Sequence, residues 1–276
     1  MLQVLRPLSI GELLDRTFLF YRRNFLVFVG IAALPGLLGF GYQLAGVSLR
    51  HDVASNVTAA GVVFALAWMI ASMFVYLLTT TLAHGATVVA VSQMELDRQT
   101  SVAAAFSAIR GRLGRLVLIS LNVGIRVGLG FICLIVPGIL LALKYAVTIP
   151  AAVVEDTGVS ESLARSAHLT KGHRGRVLLI LFLLVILIFI GSMLWQVPTM
   201  AILAFASGTV RTAQMPGWAQ VILQFGQFVT QAVLGPIMTI GLTLVYYDER
   251  VRKEAFDLEH MMRQLDGMGP MPSPVA

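Results

Sequence analysis

A chain of 276 residues that is 57% hydrophobic and only 12% charged, with a mean hydropathy of +0.84, does not build a single water-soluble core, because soluble domains carry about 25% charged residues. Its formal charge of +6 does not point to nucleic acid, which asks for a basic face with groups that read bases; the Lys and Arg residues instead flank apolar runs, where anionic lipid headgroups supply the counter-charge at about 1 kcal/mol per cation. The lone cysteine, Cys133, excludes an intrachain disulfide, and the segment up to Asn24 lacks the basic, apolar and small-residue order of a cleavable leader.

Ser9-Ile10-Gly11-Glu12 matches a capping box, and Leu13, Leu14, Phe18 and Tyr21 follow at helical spacing. This predicts a short amphipathic helix in the membrane interface. Arg22 and Arg23 end it, and a first span covers 25–49, with a kink expected at Pro35. A polar turn over 50–56 leads to a second span over 59–91, longer than one crossing needs, which Glu95, Asp97 and Arg98 close. A second short helix over 101–109 precedes Arg110, Arg112 and Arg115 and a third span over 116–136. Pro137-Gly138 is the expected turn into a fourth span over 139–154, which ends at Glu155-Asp156.

The clearest stretch is 160–195: a short helix with Glu161, Leu163 and Arg165, a basic cluster of Lys171, His173, Arg174 and Arg176, then an unbroken apolar run from Val177 to Trp195. Fifteen residues of that run are Leu, Ile, Val or Phe. At roughly −0.4 kcal/mol each near the membrane centre they favour insertion by about 6 kcal/mol, and a crossing takes about 20 apolar residues. This fifth span covers 177–205, with a kink at Pro198. A polar loop over 207–216, a sixth span over 217–247, a charged amphipathic helix over 248–265 and a disordered tail over 266–276 complete the chain. The reading is all-α: one membrane domain over 1–265, an integral bundle of about six transmembrane helices with short cytoplasmic interfacial helices.

Of the twenty Lys and Arg residues, sixteen fall on one side of this topology, Arg50 and Arg211 on the other, and Arg126 and Lys144 inside spans. The positive-inside rule then places both termini in the cytoplasm. The spacing of Glu12, Leu14 and Arg16 returns in Glu161, Leu163 and Arg165. A threefold pseudo-repeat, each unit an interfacial helix with a two-span hairpin, accounts for this; so does the shared need for a basic amphipathic lead-in at each re-entry.

A cation at the centre of a span costs about 2.5 to 3.5 kcal/mol, and no Asp or Glu lies within a span to pair with Arg126 or Lys144. Asn122 shares a helix face with Arg126, opposite a small-residue ridge of Ser120, Gly124 and Gly128. One reading is a ligand site for an anionic headgroup or solute; the other is snorkelling of both side chains toward the interface. Gln220, Gln224, Gln227 and Gln231 are spaced 4, 3 and 4, a stripe about 16 Å long on one face. The stripe either lines a polar vestibule together with Asn122 and Arg126 or makes interhelical amide hydrogen bonds. Lipid headgroups are the expected partners of Arg22, Arg23, Arg110, Arg112, Arg115, Lys171, Arg174 and Arg176. His84, after Thr79, Thr80 and Thr81, is either a proton relay or a packed, hydrogen-bonded histidine. Asn56-Val57-Thr58 is a glycosylation triplet by pattern alone. There is no phosphate-binding glycine loop, nucleophile elbow or zinc-binding helix pair, so no catalytic residue, metal or cofactor is expected.

Several further motifs fall in a fixed order: Leu8-Ser9-Ile10-Gly11-Glu12-Leu13-Leu14-Asp15-Arg16 with Tyr21-Arg22-Arg23-Asn24-Phe25, Ile135-Val136-Pro137-Gly138, and the segment from Pro150 to Glu155. They continue with Ser162-Leu163-Ala164-Arg165-Ser166, Lys171-Gly172, and Tyr246-Tyr247-Asp248 with Arg250, Arg252-Lys253-Glu254 and Phe256-Asp257-Leu258. In these the chain resembles, over nearly its whole length, the membrane domain attached to some bacterial glycerophosphoryl diester phosphodiesterases and related stand-alone membrane proteins. The resemblance implies a multi-span module of a bacterial inner membrane. It implies no catalysis here, since only residues 248–276 follow the last span, and it assigns no ligand to Arg126, Lys144 or the glutamines. The function expected is a non-enzymatic membrane module that scaffolds a protein partner on the cytoplasmic face or organises anionic lipid. The alternative is a transporter or lipid translocator for an anionic substrate; an intramembrane enzyme has only His84 and Cys133 to draw on.

Overall fold

Three times along the chain a short helix hands over to long apolar ones. The computed structural model describes residues 8–55, 58–208 and 216–267, with side chains over 8–46, 58–208 and 216–254. Its helices are α1 (Ile10–Arg23), α2 (Phe25–Ser55), α3 (Ala59–Glu95), α4 (Val102–Ile109), α5 (Leu113–Cys133), α6 (Ile135–Lys144), α7 (Thr148–Val154), α8 (Val159–Thr170), α9 (Arg174–Ser207) and α10 (Gly217–Gly267), with a 3-10 turn, Arg110–Arg112, before α5. Six stretches are long and apolar enough to cross a bilayer: Phe25–Gly46, Ala59–Glu95, Val102–Cys133, Ile135–Val154, Arg174–Ser207 and Gly217–Glu254. The molecule is an all-α membrane bundle, without strands among the described residues. The apolar window of α9 has a mean hydropathy of 3.3 and is only 17% buried within the protein, so most of it faces lipid. The side chains of Arg6, Arg50, Arg211 and Arg263, the Asn56-Val57 pair, loop residues 209–215 and the tail from 268 onward lie outside the described residues.

The short helices are fixed by their caps. Ser9 Oγ accepts from the Glu12 N–H (3.2 Å) while the Glu12 carboxylate accepts from the Ser9 N–H (2.7 Å), the reciprocal arrangement the sequence predicts. In α8 the Glu161 carboxylate accepts from the Gly158 N–H (3.0 Å), and in α4 Ser101 Oγ accepts from the Ala104 N–H (3.2 Å). Thr58, the last residue of the glycosylation triplet, is the N-cap of α3, its hydroxyl accepting from the Gly61 N–H (3.1 Å).

Four expectations change. The backbone expected to turn over 50–56 stays helical to Ser55. The reversal expected at Pro137-Gly138 lies at Leu134, whose extended backbone (φ −169°, ψ 156°) separates α5 from α6. Pro137 then sits in the first turn of α6, where its missing N–H leaves nothing unpaired, and Gly138 serves a close crossing: a Cβ on Gly130 would meet Gly138 Cα at 3.0 Å, and one on Gly138 would meet the Phe131 ring at 2.5 Å.

The fourth span is not continuous. Pro150 lacks the N–H that would bond to the Ala146 carbonyl and its ring crowds that carbonyl, so the chain breaks at 145–147 and restarts as α7. The Lys144 carbonyl freed by the break accepts from Ser166 Oγ (2.9 Å) and Thr170 Oγ1 (3.4 Å) of α8. Finally, the charged helix expected over 248–265 is a continuation of the sixth span. No breaker separates Tyr247 from Asp248, and α10 runs unbroken for 51 residues through Pro236.

The packed core sits toward one end. Leu13 and Tyr21 of α1, Phe28 and Ile31 of α2, Val88 and Val91 of α3, Ile109, Leu116 and Ile119, Leu169, Ile180 and Leu184, and Ile240, Leu244 and Tyr246 of α10 form one buried cluster. Toward the other end the buried apolar contacts reduce to a small group around Leu203 and Ala219. The Tyr21 hydroxyl donates to the Val233 carbonyl, and burial pushes its pKa up to about 12.

Candidate functional site

Beyond the packed end, α2, α3 and α10 separate around a cavity of about 510 Å³, within the range of roughly 300 to 1,000 Å³ typical of small-molecule sites. Each helix turns one face to it. Gln220, Gln224, Gln227 and Gln231 of α10 all line it, so the glutamine stripe faces a single space. From α2 come Ala32, Gly36, Gly39 and Gln43, with Phe40 and Tyr42 beside them, and from α3 Ser72, Tyr76, Thr79, Thr80, His84 and Thr87. Residues 32, 36, 39 and 43 repeat the 4, 3, 4 spacing of the glutamines with small or polar side chains. That repeat was the available sign that α2 supplies a second wall.

The lining is mainly apolar, with Phe40, Val75, Leu223 and Phe228 among its residues, and its polar groups are amides, hydroxyls and the His84 imidazole; among the described residues it includes no Asp, Glu, Lys or Arg. Several hydroxyl protons are already used. Ser72 donates to the Trp68 carbonyl (2.7 Å), Thr79 to Val75 (2.9 Å) and Thr80 to Tyr76 (2.7 Å), so that these hydroxyls have only acceptor capacity left. Gln227 Oε1 accepts from Gln196 Nε2 of α9 at 2.6 Å, an interhelical amide bond of the kind the sequence allows. Gln224 Oε1 is buried without a hydrogen-bond donor; an acceptor left so costs about 1–3 kcal/mol. Gln227 and Gln231 are exposed, and Tyr76 is 66% exposed, so the cavity opens beside them.

Asn122, Arg126 and Lys144 do not join the glutamines; none of them lines the cavity. They gather at Tyr145, where the fourth span breaks. Arg126 Nε donates to Asn122 Oδ1 (2.7 Å) and its guanidinium to the Tyr145 hydroxyl (3.3 Å). Arg126 and Lys144 both lie against the Tyr145 ring, 5.9 Å and 5.3 Å from its centroid. Tyr145 itself is buried, and Arg126 is exposed. The vestibule expected to combine Gln, Asn and Arg is therefore two separate places. Shared helix faces are legible in spacing, but the neighbour each face meets is set by packing: α5 pairs with α6, α3 and α8, whereas α10 pairs with α2, α9 and α3. The ridge of Gly124 and Gly128, expected at a close helix contact, meets nothing within 4 Å.

At the packed end, acids and bases close on each other. Asp248 and Glu249 are buried, their side chains 1% and 0% exposed. Asp248 accepts from Arg176, from Arg252 Nε (2.9 Å) and from the Leu8 N–H (2.7 Å). Arg176 and Arg252 each donate in turn to the Leu8 carbonyl at 2.6 Å, so the start of the described chain is clamped to α9 and α10. Glu249 faces His173 (2.7 Å) and Arg176 (3.6 Å). Glu155 accepts from Arg165 Nε (2.8 Å) and the Tyr246 hydroxyl (2.7 Å), and Arg165 pairs with Glu254 as well. Arg16 pairs with Glu95 at 2.6 Å. Leu8, Arg16, Glu155, Arg165, Tyr246, Asp248, Arg252 and Glu254, far apart in the sequence, are thus tied into contacts at one end of the bundle.

This clamp reassigns part of the basic rim. Arg176 is held by Asp248 and Glu249, and Arg112 (3.0 Å) and Arg115 by Asp156; three of the eight cations expected at headgroups thus meet carboxylates of the chain itself. The Arg115 hydrogen bond, helped by the nearby Arg112 charge and opposed by desolvation, holds the Asp156 carboxyl below its usual range. Arg22, Arg23, Arg110 and Lys171 are exposed and without an ion pair among the described residues; Arg174 is half-buried, with its Nε lacking a partner. Comparison with protein-family profiles, with curated proteins and with solved structures finds no match to this chain.

Proposed function

We propose that the chain is a non-enzymatic, multi-span module of a bacterial cytoplasmic membrane that organises anionic lipid around its charged end. The observation that carries this reading is the placement of the uncompensated cations. Arg22 and Arg23 end α1 ahead of α2, Arg110 precedes α5, and Lys171 precedes α9. Each re-entry into the apolar region thus presents exposed positive charge, while Arg176 and Arg252 are neutralised within the clamp and Arg112 and Arg115 by Asp156. Polybasic groups beside a span favour an anionic leaflet by about 1 kcal/mol per cation. The resemblance to the phosphodiesterase-associated membrane domain supports a bacterial inner membrane. The charge asymmetry supports a cytoplasmic position for the clamped end, and with it for both termini, since Leu8 and Asp248 meet there. An anionic translocation path receives less support, because no described residue lining the cavity is a cation and Arg126 and Lys144 lie elsewhere.

The test is lipid selectivity measured by spin-labelled phosphatidylglycerol against phosphatidylcholine in reconstituted protein. Replacing Arg22, Arg23, Arg110 and Lys171 by Gln is expected to lower the preference for phosphatidylglycerol about fivefold at the affected sites, the equivalent of about 1 kcal/mol each. Unchanged selectivity in this variant refutes the proposal.

A further inference from the structure

The cavity between α2, α3 and α10 is independent of the basic rim, and its chemistry selects a different kind of ligand. A charged group entering it would leave water without a counter-ion from the described lining residues, which include no carboxylate, ammonium or guanidinium. A purely apolar occupant would instead strip water from the exposed amides of the wall, Gln227 and Gln231. What fits is a group with donors and acceptors side by side. An amide carries two N–H donors and one carbonyl acceptor, and a neutral imidazole one of each; with Gln227 Oε1 taken by Gln196, Gln227 contributes its donors. With Ser72, Thr79 and Thr80 already donating to their own helices, the hydroxyls add acceptors. Vicinal hydroxyls, each donor and acceptor at once, match that alternation along the stripe, which is about 16 Å long. Tyr42, Tyr76 and the stacked Phe40 and Phe228 rings supply flat apolar surface for the C–H faces of such a molecule.

We propose that this cavity binds an uncharged, hydroxyl-rich group, a sugar or polyol, either free or as the headgroup of a neutral glycolipid. The glutamine amides and His84 make the hydrogen bonds, and the gap left by Gly39 on α2 gives the ring its space. A Cβ built at Gly39 meets only Thr79, at 3.8 Å, so a larger side chain there occupies the cavity without a backbone clash.

The experiment uses the full chain in nanodiscs containing phosphatidylglycerol and monoglucosyl-diacylglycerol, with lipid retention read by native mass spectrometry, and free glucose added separately in a thermal-shift series. Wild type is compared with Gln224→Leu/Gln227→Leu, with Gly39→Leu and with Arg126→Ala. Wild type and Arg126→Ala are expected to retain the glucolipid; both cavity variants are expected to lose it about tenfold or more, the double glutamine variant through two lost hydrogen bonds and Gly39→Leu through occupied space, with phosphatidylglycerol retention unchanged. Retention of glucolipid without a glucose shift identifies a lipid headgroup as the source; a cavity-dependent glucose shift identifies a free sugar. Gly39→Leu keeps every amide, so it tests the site even where the double glutamine variant does not fold. The proposal is overturned when neither probe binds, when both cavity variants bind as wild type does, or when the cavity variants lose phosphatidylglycerol rather than the glucolipid. Failure of the rim variants to alter lipid selectivity leaves these outcomes untouched.

Discussion

Asp248→Ala removes the centre of the clamp, and its cost follows from what is left behind. The carboxylate takes three donors, from Arg176, Arg252 and the Leu8 N–H, with its side chain almost wholly buried. Breaking a buried ion pair by deleting one partner costs about 3–5 kcal/mol, because the remaining charge stays buried and unpaired. Here both arginines keep the Leu8 carbonyl, and Arg176 keeps Glu249 at 3.6 Å. The lower end of the range therefore applies, about 3 kcal/mol. The measurement is reversible unfolding in mixed micelles of mild and denaturing detergent, followed by tryptophan fluorescence. A double-mutant cycle with Arg252→Ala isolates the pair, since contacting charged residues couple by about 0.5–3 kcal/mol. Limited proteolysis supplies a second readout, because the change releases the Leu8-Ser9 segment from α9 and α10. An Asp248→Ala protein as stable as wild type, with that segment equally protected, would show that the clamp contributes nothing and that the core of the packed end is sufficient.

Two further outcomes are expected. The Asp156 carboxyl is held low chiefly by its hydrogen bond from Arg115, so the unfolded chain binds more protons near its ordinary value of about 3.9, and stability falls as pH drops through the folded value; Asp156→Asn is expected to flatten the acid limb of a stability–pH curve while leaving neutral stability above pH 6 without a comparable slope. Ser166→Ala combined with Thr170→Val strips the Lys144 carbonyl of both its α8 donors, and is expected to cost about 1–3 kcal/mol in the same micelle titration, whereas either single replacement, with one donor remaining, costs less than half of that.

Features set by neighbours a few residues apart were legible in the sequence. The capping box of α1, the Asn122–Arg126 pair and the shared face of the four glutamines all follow from short-range spacing. The break at 145–147 also has a local cause, Pro150, but the continuous apolar composition on either side conceals it. Contacts between distant segments were not legible. Asp248 and Glu249 look like the start of a solvated charged helix until Arg176 and His173 are brought against them. Arg126 and the glutamines look like one polar lining until α3 packs between their helices. In a membrane chain, apolar surface is matched by lipid as well as by protein, so hydropathy says that a face is buried in something and not in what.

Dense packing is confined to the clamped end, and the far half of the bundle is spread around a cavity. Lipid-facing helices lose no burial when they shift relative to one another in the bilayer, so only protein–protein contacts resist lateral movement. Those contacts tie down Leu8, Arg165, Arg176 and Asp248, while the walls near Gln227 and Tyr76 meet each other across space. Bilayer thickness and lateral pressure therefore act first on the width of the cavity mouth and last on the clamp, which makes the lipid environment a variable in the shape of the site itself.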